Sequence, residues 1–171
     1  MTETGPTVFL IDREHALSKA GSVGKPQMHV AVRIVDREGQ DVPPGEMGEL
    51  LIKGPGVTPG YWQLPEMTAE AIEDGWLHSG DVARVDEDGY YYIVDRWKDM
   101  YISGGENVYP AEVENVLYQM EEIAEVAVIG VPDPKWGEVG RAIVVLKPGA
   151  ALTEEQVIQF CLLYTSPSPR D

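Results

Sequence analysis

The sequence predicts an α+β protein made of two units, a β-rich first unit and a smaller α+β second unit. Short apolar segments separated by Gly, Asp and Pro run from residue 29 to residue 94, a pattern typical of strands joined by tight turns. Beyond residue 99 the segments follow the order strand, helix, strand, strand, helix, which favours a sheet covered on one face by helices. We therefore place the two units at 1–94 and 99–160.

Alternating apolar residues predict the elements of the first unit, two strands over 30–34 and 49–53 and a short helix over 65–72. Residues 82–85 and 90–94 flank the turn sequence Asp-Glu-Asp-Gly and predict a β-hairpin. The stretch that ends at Asp81, just before this hairpin, fits a plain turn. A carboxylate placed there could also accept hydrogen bonds from the diol of a sugar.

Residues 95–99 contain four charges in five positions, which indicates a linker between the units. Within it, Arg96 and Lys98 either contact an anion or belong to a solvated charge cluster. The following pair Gly104-Gly105 allows a ligand to approach the backbone, or forms a tight connection. The residue types leave both pairs of alternatives open.

The first helix of the second unit is expected to begin at Pro110, because proline fits the first helical position. Its apolar stripe is expected at four residues with helical spacing, Val113, Val116, Leu117 and Met120. Strands are expected over 125–131 and 142–146. The second helix starts at a capping box, Thr153-Glu154-Glu155-Gln156.

The composition excludes several classes of protein. The net charge of −16 repels phosphate backbones, so we expect no nucleic-acid partner. The single Cys161 rules out an internal disulfide and a cysteine-based zinc site, and three well-separated histidines do not form a metal cluster. No apolar run is long enough to span a bilayer, and the N-terminus does not resemble a signal peptide. We therefore expect a cytoplasmic protein.

The C-terminal end of the chain is expected to be artificial. The last helix runs into a proline-containing stretch that cannot continue it, and residues 161–171 resemble one reading frame of a sequencing adapter. We interpret 161–171 as adapter-derived, so Cys161 carries no chemical argument.

Five motifs, in this order and at this spacing, resemble the acyl-CoA synthetases of the adenylate-forming (AMP-binding) superfamily. They are Met1-Thr2-Glu3-Thr4, residues 48–62 from Gly-Glu-Leu to Gly-Tyr-Trp, Gly75-Trp76-Leu77-His78-Ser79-Gly80-Asp81, Asp95-Arg96-Trp97-Lys98-Asp99, and residues 104–114 from Gly-Gly-Glu-Asn to Glu-Val-Glu. The run from Asp95 to Glu114 most resembles medium- and long-chain fatty-acid–CoA ligases. The resemblance implies that residues 1–94 end a large AMP-binding domain, that 95–98 is a hinge, and that 99–160 is an incomplete C-terminal domain.

The chemistry that the resemblance implies has two half-reactions. A carboxylic acid, most simply a fatty acid, attacks the α-phosphate of Mg-ATP to form an acyl-adenylate and pyrophosphate. Coenzyme A then displaces AMP through its thiol. The implied ligands are therefore Mg²⁺, ATP, coenzyme A and a carboxylic acid.

The resemblance also implies roles for individual residues on the nucleotide side. Thr2 would bind the nucleotide phosphate, and Glu3 would help to hold Mg²⁺, a cation that prefers carboxylate and phosphate oxygens. Asp81 would accept hydrogen bonds from the ribose hydroxyls. Arg96, a predicted catalytic residue, would reach the ribose and the α-phosphate and stabilise developing negative charge.

A second group of implied positions concerns the hinge and coenzyme A. Lys98, also a predicted catalytic position, matches the hinge about which the C-terminal domain swings between the half-reactions. Gly104 and Gly105 match the loop that meets coenzyme A, with Glu106 and Asn107 beside it.

The chain departs from the family pattern at both ends. An aromatic residue and a glycine usually precede the Thr-Glu pair, so Met1 is expected to be an internal residue of a longer enzyme. The family's phosphate loop and its C-terminal catalytic lysine are absent, so we expect this chain alone to be inactive. Two alternatives stay open: the parent is an aryl-CoA ligase or a luciferase-like enzyme, or the chain is an acidic binding module without catalysis.

Overall fold

The computed structural model describes residues 1–164 of the chain. These residues form eleven strands and three α-helices, which confirms the predicted α+β class. The chain divides after Trp97 into two compact units, Met1–Trp97 and Lys98–Asp171. Residues 165–171, most of the segment that the sequence assigns to an adapter, lie outside the described residues. Within 1–164 no helix has both the length and the apolar character that crossing a membrane requires.

The first unit contains an antiparallel five-stranded sheet and a separate two-stranded sheet. The small sheet pairs β1 (Phe9–Leu10) with β2 (Lys25–Pro26). The elements that follow are β3 (Ala31–Val35), β4 (Gly48–Lys53), α1 (Pro65–Ala71), β5 (Ile72–Glu73), β6 (Trp76–Val85) and β7 (Tyr91–Arg96). In the large sheet β4 lies between β3 and β6, and both β5 and β7 pair with β6.

One buried cluster of the first unit lies on a single face of this sheet. Ile34, Leu50, Ile52 and Ala83 are buried together there, at 5% exposure or less. They lie on strands β3, β4 and β6, and the two-residue spacing of Leu50 and Ile52 places both on the same face. The strands predicted over 30–34 and 49–53 are therefore confirmed, with small differences at their ends.

Two regions of the first unit differ from the sequence prediction. Residues 76–81, which fit a plain turn, form the first six residues of the ten-residue strand β6. Strand β7 continues through Asp95 and Arg96, so the first two residues of the expected linker belong to the sheet. Both extensions consist largely of polar residues. A search for alternating apolar residues therefore does not detect these parts of the strands.

The second unit is a four-stranded antiparallel sheet with two helices. Its elements are β8 (Tyr101–Ser103), β9 (Glu106–Val108), α2 (Pro110–Leu117), β10 (Ile123–Asp133), β11 (Gly137–Leu146) and α3 (Glu154–Tyr164). The strand order in the sheet is β10, β11, β8, β9. Leu117 on α2 is fully buried against Tyr101, Val126 and Val128, and residues of α3 pack on the same cluster.

Local sequence signals place both helices of this unit. Pro110 occupies the first turn of α2, as predicted. At the start of α3, the Thr153 N–H donates to Oε1 of Gln156 at 2.8 Å, and the Gln156 N–H donates to Oγ1 of Thr153 at 3.3 Å. This reciprocal pair is the predicted capping box.

Helix α2 also covers the outer edge of the sheet. Strand β10 pairs only with β11, which leaves backbone N–H groups on its other side. The Val128 N–H donates to Oε1 of Glu114 at 2.8 Å, and the Val126 N–H donates to Oη of Tyr118 at 3.4 Å. Glu114 thus protects a strand edge.

Candidate functional site

Strand β6 bulges in the middle of the first unit's sheet. Its pairing with β4 shifts in register between Glu49 and Leu51, which leaves three residues of β6, 79–81, opposite one residue of β4. Gly80 lies at the centre of this bulge with φ of 68°, in the left-handed region that favours glycine. A bulge of this kind redirects side chains and backbone groups out of the ladder.

A second bulge lies on strand β7 at Val94. Because the register of β6 and β7 shifts by one residue there, Val94 has no partner in the ladder. Asp81 consequently lies directly opposite Arg96. A regular ladder would instead set Asp81 opposite Asp95, and two carboxylates so placed repel each other.

Asp81 and Arg96 form an ion pair, with 3.2 Å between Oδ1 of Asp81 and Nη1 of Arg96. The side chain of Asp81 is 18% exposed, whereas that of Arg96 is 54% exposed. Burial raises the pKa of Asp81, and Arg96 opposes this effect by favouring the charged carboxylate. A half-buried carboxylate beside a guanidinium group is a strong acceptor for hydroxyl donors.

The two residues line a cavity of about 440 Å³ within the first unit. Thr2 and Glu3, from a 3₁₀ turn over Thr2–Thr4, line the same cavity. The structure thus brings together all four residues that the sequence assigns to the nucleotide side, although they are up to 94 positions apart in the chain.

The sequence assigned no role to Tyr61, which also lines this cavity. Its hydroxyl donates to Oε1 of Glu3 at 3.2 Å. Burial raises the pKa of Tyr61, and the negative charge of Glu3 adds to that effect. Tyr61 therefore remains a protonated donor that orients the Glu3 carboxylate. The only available signal was its place in the Gly60-Tyr61-Trp62 motif.

His78 was likewise given no role, and it lines the cavity beside the bulge. Its Nδ1 lies 3.0 Å from Oε2 of Glu49, and its Nε2 lies 3.8 Å from a carboxylate oxygen of Glu73. Oε1 of the same Glu49 accepts the Gly80 N–H at 3.3 Å. Sequence reasoning could not find this cluster, because it depends on the register between β4 and β6.

The other predicted site residues lie in the second unit. Gly104 and Gly105 form the two-residue turn between β8 and β9, with φ of 62° and 92°. Positive φ at both central positions is the requirement of a type I′ hairpin turn, which explains the glycine pair. Glu106 and Asn107 begin the exposed strand β9, and Lys98 is exposed at the start of this unit.

The described residues offer a limited metal site. In residues 1–164 no group of three or more His, Cys, Asp or Glu side chains is arranged to hold a metal ion. Mg²⁺ commonly binds through one or two protein carboxylates together with phosphate oxygens and waters. Glu3, held in the cavity by Tyr61, fits that mode of binding, in which a bound phosphate provides the other ligands.

Comparison with known proteins identifies the family. The sequence model of the family described as AMP-binding enzyme matches residues 1–62. The sequence model of the family described as AMP-binding enzyme C-terminal domain matches residues 112–165. The chain belongs to the adenylate-forming AMP-binding enzymes. The resemblance in the five motifs is thereby confirmed.

Two curated AMP-binding enzymes show which relatives the chain is similar to. Feruloyl-CoA synthase from an Amycolatopsis species is 54% identical over 158 residues, which cover 92% of this chain and 32% of the relative. The 2-succinylbenzoate–CoA ligase of a Geobacillus species (strain WCH70) is 47% identical over 161 residues, which cover 94% of this chain and 32% of the relative. The chain thus spans about a third of the length of these relatives.

A solved AMP-binding enzyme confirms the fold. The o-succinylbenzoate-CoA synthetase of Bacillus subtilis, in complex with its acyl-adenylate intermediate, has a TM-score of 0.88 and 37% identity, covering 97% of this chain and 34% of that one. The same enzyme in complex with ATP and a magnesium ion has a TM-score of 0.85 and 36% identity, covering 97% of this chain and 34% of that one.

Proposed function

We propose that this chain forms the ribose- and phosphate-binding strands, the hinge and part of the C-terminal domain of an ATP-dependent acid–CoA ligase. The observation that carries the proposal is the cavity of the first unit, where Thr2, Glu3, Asp81 and Arg96 meet. Its support comes from relatives that are named as CoA synthases and ligases, and from a similar structure that contains an acyl-adenylate.

In this proposal the nucleotide is held from two sides of the cavity. The Asp81 carboxylate accepts hydrogen bonds from the ribose hydroxyls, and Arg96 donates to the ribose and α-phosphate oxygens. The Thr2 hydroxyl donates to a phosphate oxygen, and Glu3 contributes a carboxylate oxygen to Mg²⁺. The bound ion would neutralise phosphate charge while the acid carboxylate attacks the α-phosphorus and pyrophosphate leaves.

The second unit would serve the thioester-forming step. We propose that Lys98 lies at the hinge and that the Gly104–Gly105 turn meets coenzyme A, with Glu106 and Asn107 beside it. A side chain added at Gly105 would meet nothing within 4 Å, so this turn leaves open space for a ligand. The coenzyme A thiol would then attack the acyl carbon, and AMP would leave.

The acid is proposed to be aromatic. The sequence alone favoured a medium- or long-chain fatty acid, but the comparisons do not support that expectation. Feruloyl-CoA synthase and 2-succinylbenzoate–CoA ligase are named for aromatic acids, and they are up to 54% identical to this chain. The aryl-CoA ligase, which was an alternative, therefore replaces the fatty-acid–CoA ligase as the proposed parent enzyme.

The acid class is tested on the enzyme encoded by the complete reading frame. CoA-thioester formation would be measured with ferulate, 2-succinylbenzoate and dodecanoate. We expect kcat/KM for the better aromatic acid to exceed that for dodecanoate at least about tenfold, because a pocket shaped for a ring discriminates by one or more kcal/mol. A preference for dodecanoate would contradict the aromatic assignment and leave the ligase assignment intact.

The nucleotide site is tested on the chain itself by calorimetric titration with AMP and with 2′,3′-dideoxy-AMP. We expect saturable AMP binding and about thirtyfold weaker binding of the dideoxy analogue, because the latter leaves the acceptor oxygens of Asp81 without ribose donors. Glu87→Ala, an exposed turn residue, serves as a matched control for loss of one negative charge. Absence of AMP binding would contradict the proposed function.

A further inference from the structure

We infer that Glu49 is a positioning residue of the nucleotide site, which holds the 79–81 bulge so that Asp81 and Arg96 face the cavity. The inference rests on the proposed function. Glu49 is not among the residues that line the cavity. It lies on the neighbouring strand β4, at the point where the register with β6 shifts.

The two oxygens of the Glu49 carboxylate bind on either side of Ser79. Oε2 lies 3.0 Å from Nδ1 of His78, and Oε1 accepts the Gly80 N–H at 3.3 Å. The Glu49 side chain is 15% exposed, so this carboxylate is largely withdrawn from water. Because a bulge removes its residues from the ladder, the Gly80 N–H needs another acceptor, and Glu49 supplies it.

Other contacts connect the bulge to the binding residues. The Gly80 carbonyl accepts the Trp97 N–H at 2.8 Å, which ties the bulge to the end of β7 next to Arg96. Oγ of the buried Ser79 accepts the Asp81 N–H at 3.1 Å. Glu49 therefore holds Gly80, which precedes Asp81 in the chain and is hydrogen-bonded to Trp97, the residue after Arg96.

Removal of the Glu49 carboxylate would leave the Gly80 N–H and one ring nitrogen of His78 without an acceptor. A partly buried donor that loses its acceptor is destabilised unless it forms a hydrogen bond to water. The bulge would therefore change its conformation to expose the Gly80 N–H. The Asp81 carboxylate would then lose its fixed place in the cavity. We expect the length of the side chain at position 49 to matter more than its charge, because it must contact His78 and Gly80 at the same time.

Three variants of the chain test this inference, each titrated with AMP and 2′,3′-dideoxy-AMP and each checked by thermal unfolding. Glu49→Ala removes both contacts. Glu49→Gln keeps an acceptor for Gly80 and offers an amide to His78, which meets it through its other tautomer. Glu49→Asp keeps the charge but is one methylene shorter, so it cannot span both partners. Glu87→Ala is again the charge-matched control.

We expect about tenfold weaker AMP binding for Glu49→Ala and about fivefold weaker binding for Glu49→Asp, while Glu49→Gln stays within about twofold of the wild type. Affinity for 2′,3′-dideoxy-AMP should fall less than affinity for AMP, since Glu49 acts chiefly through Asp81, whose carboxylate oxygens serve the ribose hydroxyls. A general loss of folding would lower both affinities together.

The outcomes separate this inference from the proposed function. If the wild type binds AMP and Glu49→Ala or Glu49→Asp binds it equally well, the positioning role is wrong and the proposed function stands. If Glu49→Ala does not fold, the order of Glu49→Gln above Glu49→Asp still supports the role, and the reverse order overturns it. If the wild type does not bind AMP, both are overturned.

Discussion

Replacement of Asp81 by alanine is expected to weaken AMP binding by the chain about thirtyfold. The carboxylate is 18% exposed and lines the cavity together with Arg96, so the hydrogen bonds that we propose between it and the ribose hydroxyls would form in a partly desolvated place. Charge-assisted hydrogen bonds contribute about 2 kcal/mol in such settings, which corresponds to the expected loss. Binding of 2′,3′-dideoxy-AMP should be the same for Asp81→Ala and the wild type, because this ligand has no ribose hydroxyl that could donate a hydrogen bond to Asp81.

Calorimetric titration of both ligands into Asp81→Ala measures this effect, and Asp81→Asn separates charge from shape. Asparagine retains one acceptor oxygen, so we expect an intermediate loss of AMP affinity. The ion pair with Arg96 is lost in both variants, and the difference between them therefore reports on the ribose contacts. Equal losses for AMP and the dideoxy analogue would show that Asp81 only shapes the cavity, and would remove its ribose role.

Leu117→Ala is expected to destabilise the second unit by about 3 kcal/mol. Leu117 is fully buried at the contact of α2 with β10, where it meets Val126 and Val128. Truncation of a fully buried leucine removes its transfer free energy and leaves a cavity that the rigid sheet cannot close. The free energy of unfolding of this unit is measured by native-state hydrogen exchange of the β10 amides.

Leu163→Ala is the matched control for this variant. The same chemical change is made on α3 of the same unit, at a side chain that is 77% exposed. We expect a change below about 0.5 kcal/mol, since exposed apolar side chains bury little area on folding. A similar change in both variants would mean that the packing assigned to α2 is wrong, because alanine favours a helix at least as well as leucine.

Much of the fold followed from local sequence signals. The strands around Ile34 and Leu50, the proline at the start of α2 and the capping box at Thr153 were all predicted, and each depends on interactions within a few residues. Apolar alternation and end capping are read from neighbouring positions, so one sequence suffices for them.

The elements that sequence reasoning missed depend on pairing between distant segments. Residues 76–81 contain Gly80, His78 and Asp81 and were interpreted as a turn, yet they lie in β6 because β4 and β5 supply partners. The contact of Glu49 with His78 arises only once that register is set. No local pattern encodes a register shift, so neither the bulge nor the residue that holds it was predictable.

The site was partly predicted, and only through the family resemblance. The residue types alone stopped at Asp81 as one of two possibilities, whereas the motifs added Thr2, Glu3 and Arg96, which the structure places around one cavity. The expectation of a fatty acid, drawn from the run between Asp95 and Glu114, is not supported by the comparisons. Most of that run forms strands β8 and β9, the turn between them and the start of helix α2 in the second unit, so its resemblance to fatty-acid ligases carried no information on the acid.

The unpaired Val94 has a consequence for which changes in length the site can tolerate. Ile93 pairs with Ala83 and Asp95 pairs with Val82, so Val94 is the one residue of this stretch that the pairing omits. Deletion of Val94 would therefore leave Asp81 opposite Arg96 in a regular ladder, whereas a regular ladder that retained Val94 would align Asp95 with Asp81 and replace attraction by repulsion. In the evolution or engineering of this hairpin, a single deletion at Val94 is consequently a change in length that keeps the ion pair.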